Sequence, residues 1–215
     1  MKKKNIFGWK YFESSDNWAS PEWFCRNALV ALNFLFTIIA WPFQSWPRVQ
    51  SLMPSPSLTI SVSTMVQTLI NIYGTEEQKK KFLPPLCQGE EIASFALSES
   101  SAGSDAASLK TSAKKVPGGW TLNGNKLWIS SAGLAKTYRV MARTGEAGPK
   151  GISAFLVRDG APGFSYGKNE KKMGVRVSPT RELVFHNCFV PDDQLQDRGF
   201  HGVSGSCQKS TDRAA

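Results

Sequence analysis

The sequence predicts an α+β chain in which a helical stretch, residues 57–91, precedes an antiparallel β-domain, residues 92–192. Three observations predict it: apolar residues at helical spacing up to residue 74, a helix-capping signal at residue 75, and an apolar period that shortens towards two from residue 92 onwards. The flanks read differently, residues 1–56 as a divergent or disordered segment with one apolar run and residues 193–215 as a frayed, polar, small-residue tail.

The first flank holds five of the seven tryptophans, and its residues 27–47 carry no charge. Its most apolar part, ALVALNFLFTIIAW at 28–41, is interrupted by Asn33 and stopped by Pro42. That is short of the roughly 20 apolar residues a membrane-spanning helix needs. A buried helix is therefore preferred over an anchor through 27–47, although Arg26 before the run and Trp41 and Trp46 after it are the flanks an anchor would use. Glu13, Asp16 and Glu22 break the acid-free pattern of a transit peptide.

In the helical stretch, Leu58, Val62, Met65, Val66, Leu69 and Ile72 follow one face of a helix that Gly74 ends. Thr75 with Gln78 three residues on makes a capping box for a second helix. Glu76 and Glu77 suit its positive N-terminus and stand four residues before Lys80 and Lys81, and Pro84 with Pro85 is expected to close it. The lysine run 79–81 reads as a solvated helix face.

Strands are expected in IASFAL (92–97), GISAFLV (151–157) and RELVFHNCFVP (181–191). Another is expected where Tyr138, Val140 and Ala142 alternate with Arg139, Met141 and Arg143. The segment WTLNGNKLWIS, 120–130, reads as a hairpin about Asn123-Gly124, a pair suited to a type I′ turn. Gly-Pro pairs at 148–149 and 162–163 punctuate the rest.

Charge and cysteine usage exclude several classes. A net charge of +9 suits an anionic partner, but the positive residues fall in short scattered clusters, with no basic helix or arginine-rich arm to indicate nucleic acid. Cys25, Cys87, Cys188 and Cys207 form no CxxC pair and have no histidine at ligand spacing, which argues against a zinc site or a disulfide scaffold and for a reduced intracellular compartment. His186 and His201 are the only histidines and neither accompanies a serine or cysteine motif; His186 reads as a strand-end residue.

The segment FALSESSAGSDAAS, 95–108, concentrates polar chemistry. Phe95 and Leu97 share one side of a strand and Ser98 takes the other. In the turn that follows, Gly103 at positive φ would aim successive N–H groups at an anion; a turn capped by Ser and Asp is the plainer alternative. Glu99 is a carboxylate that could act as a base or simply cap the loop.

Residues 96–108, ALSESSAGSDAAS, resemble the signature segment of the acyl-CoA dehydrogenase family, with Ser100 at a variable position where many members have proline. Further similar segments follow in family order: YGTEEQKKKFLPPLCQGE at 73–90, LNGNKLWIS at 122–130, KGISAFLV at 150–157 and KKMGVRVSPTRELVFHNCFVP at 171–191. The resemblance implies the end of an N-terminal helical domain at 57–91 and a β-barrel-like middle domain at 92–192 that binds flavin and acyl-CoA. The family's C-terminal helical bundle has no counterpart in the sequence.

By resemblance the cofactor is FAD and the substrate an acyl-CoA thioester, oxidised to a trans-2-enoyl-CoA with hydride passing to flavin N5. Phe95, Leu97 and Ser98 are expected at the pyrimidine end of the flavin, Trp128, Ile129 and Ser130 along it with the Ser130 hydroxyl near N5, and Ser104 at both cofactor and acyl-CoA. Arg176 and Thr180 read either as ligands or as residues that position their strand. No catalytic residue is assigned, because the family's base glutamate belongs to the C-terminal bundle and Glu99 belongs to the signature. Electron-transfer flavoprotein and homo-oligomer contacts are the partners the resemblance implies, and cytoplasm or mitochondrial matrix the compartment. KFLPPLC and GPKGIS resemble members acting on short branched acyl groups, such as isobutyryl-CoA dehydrogenases.

Overall fold

The computed structural model describes residues 54–198; the apolar run at 28–41 and the tail beyond 198 lie outside the described residues. Two helices come first, α1 (Pro54–Tyr73) and α2 (Glu76–Cys87). Eight strands follow: β1 (Ala93–Ala96), β2 (Ser112–Val116), β3 (Gly119–Ser130), β4 (Thr137–Arg143), β5 (Ile152–Arg158), β6 (Phe164–Asn169), β7 (Thr180–Pro191) and β8 (Leu195–Arg198). They form one sheet in the order β6-β7-β3-β2-β4-β5-β8, with β1 paired to β4 in parallel and most other pairs antiparallel. No described helix is long and apolar enough to cross a membrane.

The second helix, α2, begins as its cap dictates. Thr75 accepts from the Gln78 N–H at 3.2 Å and the Gln78 side chain accepts from the Thr75 N–H at 3.2 Å, so the box is reciprocal. Its later course differs from the sequence expectation, since Pro84 and Pro85 lie inside α2 rather than after it. Each proline lacks a donor and its ring crowds the carbonyl four residues earlier, but both stand in the last turn of the helix. Their carbonyls still accept, Pro84 from Gln88 and Pro85 from Glu90 and Glu91, so one more turn survives. The expected Glu–Lys pairs four apart are also replaced: Glu76 pairs with Lys79 at 2.8 Å and Lys81 reaches Asp193 at 2.9 Å.

Within the sheet, Tyr138, Val140, Phe155, Val157, Leu183 and Phe185 face the main core. The opposite faces of β4 and β5 are covered as well, Leu156 by Val66, Ile70, Phe82 and Leu86 of the helices and Met141, Ile152 and Ala154 by Ala102 and Leu109. The alternation predicted for β4 is present, but its second face is buried, Arg139 included at 2% exposure. Arg139 donates through Nε to Gln196 at 2.6 Å, and Gln196 donates to the Leu69 carbonyl at 2.7 Å, joining β4, β8 and α1.

The expected hairpin at Asn123-Gly124 is absent. β3 runs unbroken through 119–130 with a register irregularity between Leu122 and Gly124. Gly124 is required by crowding rather than by a turn: a Cβ there would stand 2.7 Å from the Thr111 hydroxyl. The hairpin lies one step earlier, joining β2 and β3 through Pro117 and Gly118, the latter at φ 77. His186 stands within β7 rather than at its end. The polar stretch after 193 contributes β8, paired with β5, where the sequence suggested only a tail.

Candidate functional site

The signature segment leaves β1 and doubles back at once. Glu99 and Ala102 exchange main-chain bonds of 2.9 and 3.2 Å, and Ala102 is buried at 2% exposure against Leu109 and Met141. A small residue is needed there because the turn presses into the core. Ser100, Ser101, Gly103, Ser104 and Asp105 all point to solvent. Gly103 does not take a positive φ, so the anion nest imagined from the sequence is not built that way. A short 3-10 turn, Ala106–Ser108, then leads to Leu109, and Arg143 fixes it by donating to the carbonyls of Ala107 (2.6 Å) and Leu109 (3.1 Å).

Glu99 is a buried carboxylate, not a capping group in solvent. It accepts from the Lys110 N–H at 2.6 Å, the Thr111 N–H at 3.0 Å and Lys126 Nζ at 2.7 Å. Lys126 has no exposed side-chain surface and also donates to the Leu97 carbonyl at 3.0 Å. Burial alone would raise the Glu99 carboxyl, but the hydrogen bonds from Lys126, Thr111 and Lys110 and the lysine charge together hold it below the ordinary value. Burial brings Lys126 down to about 8, with Glu99 pulling the other way.

The same contacts bring β1 and the end of β3 together. Leu127 N–H donates to the Ser98 carbonyl at 2.9 Å and the Ser94 hydroxyl to the Ser130 carbonyl at 2.6 Å. Phe95, Leu97 and Ser98 are thereby placed beside Trp128, Ile129 and Ser130. A register shift between Lys126 and Ile129 inverts the facing of β3, so that Lys126 points inward while Trp128 is 63% exposed with φ 56. Ile129 is 3% exposed in the main core, which leaves its main chain as the part able to meet a ligand.

Phe95 and Leu97 are half-buried against Ala102, Leu109 and Met141, and the Arg139 guanidinium lies 5.6 Å from the Phe95 ring centre. The hydroxyls of Ser98, Ser104 and Ser130 make no hydrogen bond among the described residues. Thr180 is buried and pairs in register with Ser130, whereas Arg176 is exposed and donates through Nε to the Lys172 carbonyl at 2.9 Å. Of these, Lys126 and Arg143 went unmarked in the sequence; the one available signal was a lysine inside the apolar run of a strand.

An exposed aromatic face, half-buried apolar neighbours and uncommitted hydroxyls together suit a flat ligand that is both aromatic and polar. No group of three or more His, Cys, Asp or Glu side chains capable of holding a metal occurs among the described residues.

Comparison with known proteins extends this geometry. Residues 94–188 match the family model of the acyl-CoA dehydrogenase middle domain and residues 49–90 that of the acyl-CoA dehydrogenase N-terminal domain. The mitochondrial isobutyryl-CoA dehydrogenase of Dictyostelium discoideum is 50% identical over 151 residues, 70% of this chain and 36% of that protein. The mitochondrial isovaleryl-CoA dehydrogenase of Arabidopsis thaliana is 47% identical over 131 residues, 60% of this chain and 32% of that one. Among solved structures, butyryl-CoA dehydrogenase from Megasphaera elsdenii superposes with a TM-score of 0.64 at 43% identity, covering 66% of this chain and 38% of its own. An acyl-CoA dehydrogenase from Bacillus anthracis, complexed with FAD, does so at 0.55 and 42% identity, covering 59% and 22%. The chain spans about a third of the length of the curated relatives it matches.

Proposed function

The chain belongs to the acyl-CoA dehydrogenase family, and from that premise we propose that residues 92–192 form the wall of an FAD-dependent site where an acyl-CoA thioester becomes a trans-2-enoyl-CoA. The observation that carries this reading is Trp128, an exposed aromatic on a left-handed bulge beside the uncommitted hydroxyls of Ser98 and Ser130. Phe95 and Leu97 supply the apolar side of the binding surface, Ile129 its main chain, and Ser104 a hydroxyl at the solvent-facing loop. The residues fit a flavin. Bound there, FAD supplies the acceptor for the β-hydrogen, removed as hydride.

The chain's own residues hold and orient. Trp128 offers a stacking face, Ser130 a donor beside it, and Ser98 and Ser104 donors that fix the in-plane position of the ligands. Glu99 is not the α-proton base in this reading, because both its oxygens are engaged by Lys126, Lys110 and Thr111 and its burial keeps it from any exposed substrate. By family resemblance the base is a glutamate of the C-terminal bundle, and no residue of this sequence is assigned to that role. A short branched acyl group is the proposed substrate, in keeping with the isobutyryl- and isovaleryl-CoA dehydrogenases among the relatives. Electron-transfer flavoprotein as acceptor, a homo-oligomeric assembly and a mitochondrial or cytoplasmic location complete the proposal.

A second reading follows from Glu99 being engaged with no other residue of the sequence assigned as base: a non-catalytic fragment with residual or no flavin or acyl-CoA binding. One experiment separates the two. The purified chain is mixed with FAD, its visible spectrum recorded, and isobutyryl-CoA added anaerobically. Bleaching of a bound flavin band supports dehydrogenation, and bound flavin that does not bleach supports binding alone. Absence of any bound flavin overturns the first reading and leaves the second.

A further inference from the structure

We propose that the buried Glu99–Lys126 pair is the positioning device of this site, setting the spacing between the end of β1 and the Trp128 bulge of β3. The inference rests on the reading of that surface as a flavin wall. Neither residue touches the exposed face itself; each acts through the main chain it holds. Lys126 Nζ spans from the Leu97 carbonyl (3.0 Å) to Glu99 Oε1 (2.7 Å), and Glu99 passes the connection to the N–H groups of Lys110 and Thr111 (2.6 and 3.0 Å). One ammonium and one carboxylate therefore join the exit of β1, the entry to β2 and the bulge of β3. Within two residues of these anchors stand Ser98, one before Glu99, and Trp128, two after Lys126.

Stability does not account for the pair. A buried ion pair is often matched or bettered by apolar residues of similar volume, because desolvation offsets most of the attraction. What apolar residues cannot do is fix a carbonyl and two N–H groups at defined distances. Without the clamp, the direct link between the Leu97–Glu99 segment and the Lys126–Trp128 segment is the one Leu127-to-Ser98 bond of 2.9 Å. Beyond it, β1 and the end of β3 share only the Ser94-to-Ser130 bond of 2.6 Å, about which the Leu97–Glu99 turn can pivot, so Trp128 and Ser98 would lose their common frame.

The test uses the full 215-residue chain with Glu99→Gln and Lys126→Met combined, so that no charge is left buried alone. Thermal midpoint, FAD affinity by flavin fluorescence and amide hydrogen exchange are compared with the unmodified chain. The expected result is a modestly lowered midpoint, because the Leu97 carbonyl and one of the Lys110 and Thr111 N–H groups lose their partner, with FAD affinity lower by about tenfold or more and exchange faster by a similar factor at residues 97–99 and 127–130 but not in β4 or β5. Unchanged affinity and exchange overturn the proposal, as does faster exchange spread evenly over the sheet, which would mark a purely structural pair. Should the unmodified chain bind no FAD, the flavin reading fails by itself, and the exchange pattern still decides the clamp: local loosening sustains it and none overturns it. Should the double variant not fold, Lys126→Gln, which keeps a shorter neutral donor, is judged by the same readouts.

Discussion

Trp128 is costly where it stands. Left-handed backbone disfavours any residue with a Cβ by roughly 1–2 kcal/mol, and a ring that is 63% exposed recovers little of that through burial. Trp128→Asn, which tolerates the same backbone, should leave the unfolding free energy unchanged or raise it by up to about 1 kcal/mol while weakening FAD binding. A loss of the ~3–5 kcal/mol typical of a buried aromatic, measured by urea titration, would show that the ring is packed in the unliganded chain. Lys126 makes a prediction of opposite character. Its folded value is about 8 against 10.5 ordinarily, so between those pH values the unfolded chain holds the proton that the folded chain has released, and this group's contribution to stability rises with pH. The stability gap between the parent and the Glu99→Gln/Lys126→Met chain should therefore move in the parent's favour from pH 8 to 10.5; a flat difference would restore an ordinary lysine. Residues such as Ser98 and Trp128 were legible through the family resemblance. Lys126 was not, because its place inside an apolar strand was the one local signal and its partner lies 27 positions away.

At the scale of the element, α2 shows a side chain used twice. Gln78 completes the capping box through Oε1 and sends Nε2 to the carbonyls of Asp193 (2.7 Å) and Leu195 (2.9 Å) while only 2% exposed. Gln78→Ala should cost about 2 kcal/mol or more, since it removes a cap and leaves two carbonyls unsatisfied. Gln78→Glu keeps the capping acceptor but faces those carbonyls with a carboxylate, so its chemical denaturation midpoint should be no better than that of the alanine chain. The capping box was readable from four consecutive residues, and the second role was not, because β8 is short and preceded by a polar turn. Asn123-Gly124 failed in the opposite direction. The pair is the strongest short hairpin signal, yet the glycine is there to admit the Thr111 side chain, a contact no local pattern encodes. Pro84 and Pro85 likewise looked like a stop and proved compatible with a final turn, in which their carbonyls still accept from Gln88, Glu90 and Glu91.

Taken whole, the described chain is a sheet sealed on one side by its own aromatic core and on the other by two helices and the signature loop. The helices are held to the sheet partly by residues that come last in the described chain. Gln78 waits for carbonyls 115 and 117 positions downstream, and the Leu69 carbonyl for Gln196, 127 positions on. During synthesis this becomes a delay in time. At 5–20 residues per second, the helices spend roughly 6–25 s outside the ribosome before those partners emerge. Nascent chains arrested with residue 190 just exposed should keep α1 and α2 sensitive to protease, and chains arrested about ten residues later should protect them. Equal sensitivity at both lengths would mean that the helices dock without β8. A sequence change between residues 193 and 196 is therefore expected to act first on how long the nascent helices must be sheltered by chaperones, and only afterwards on the finished fold.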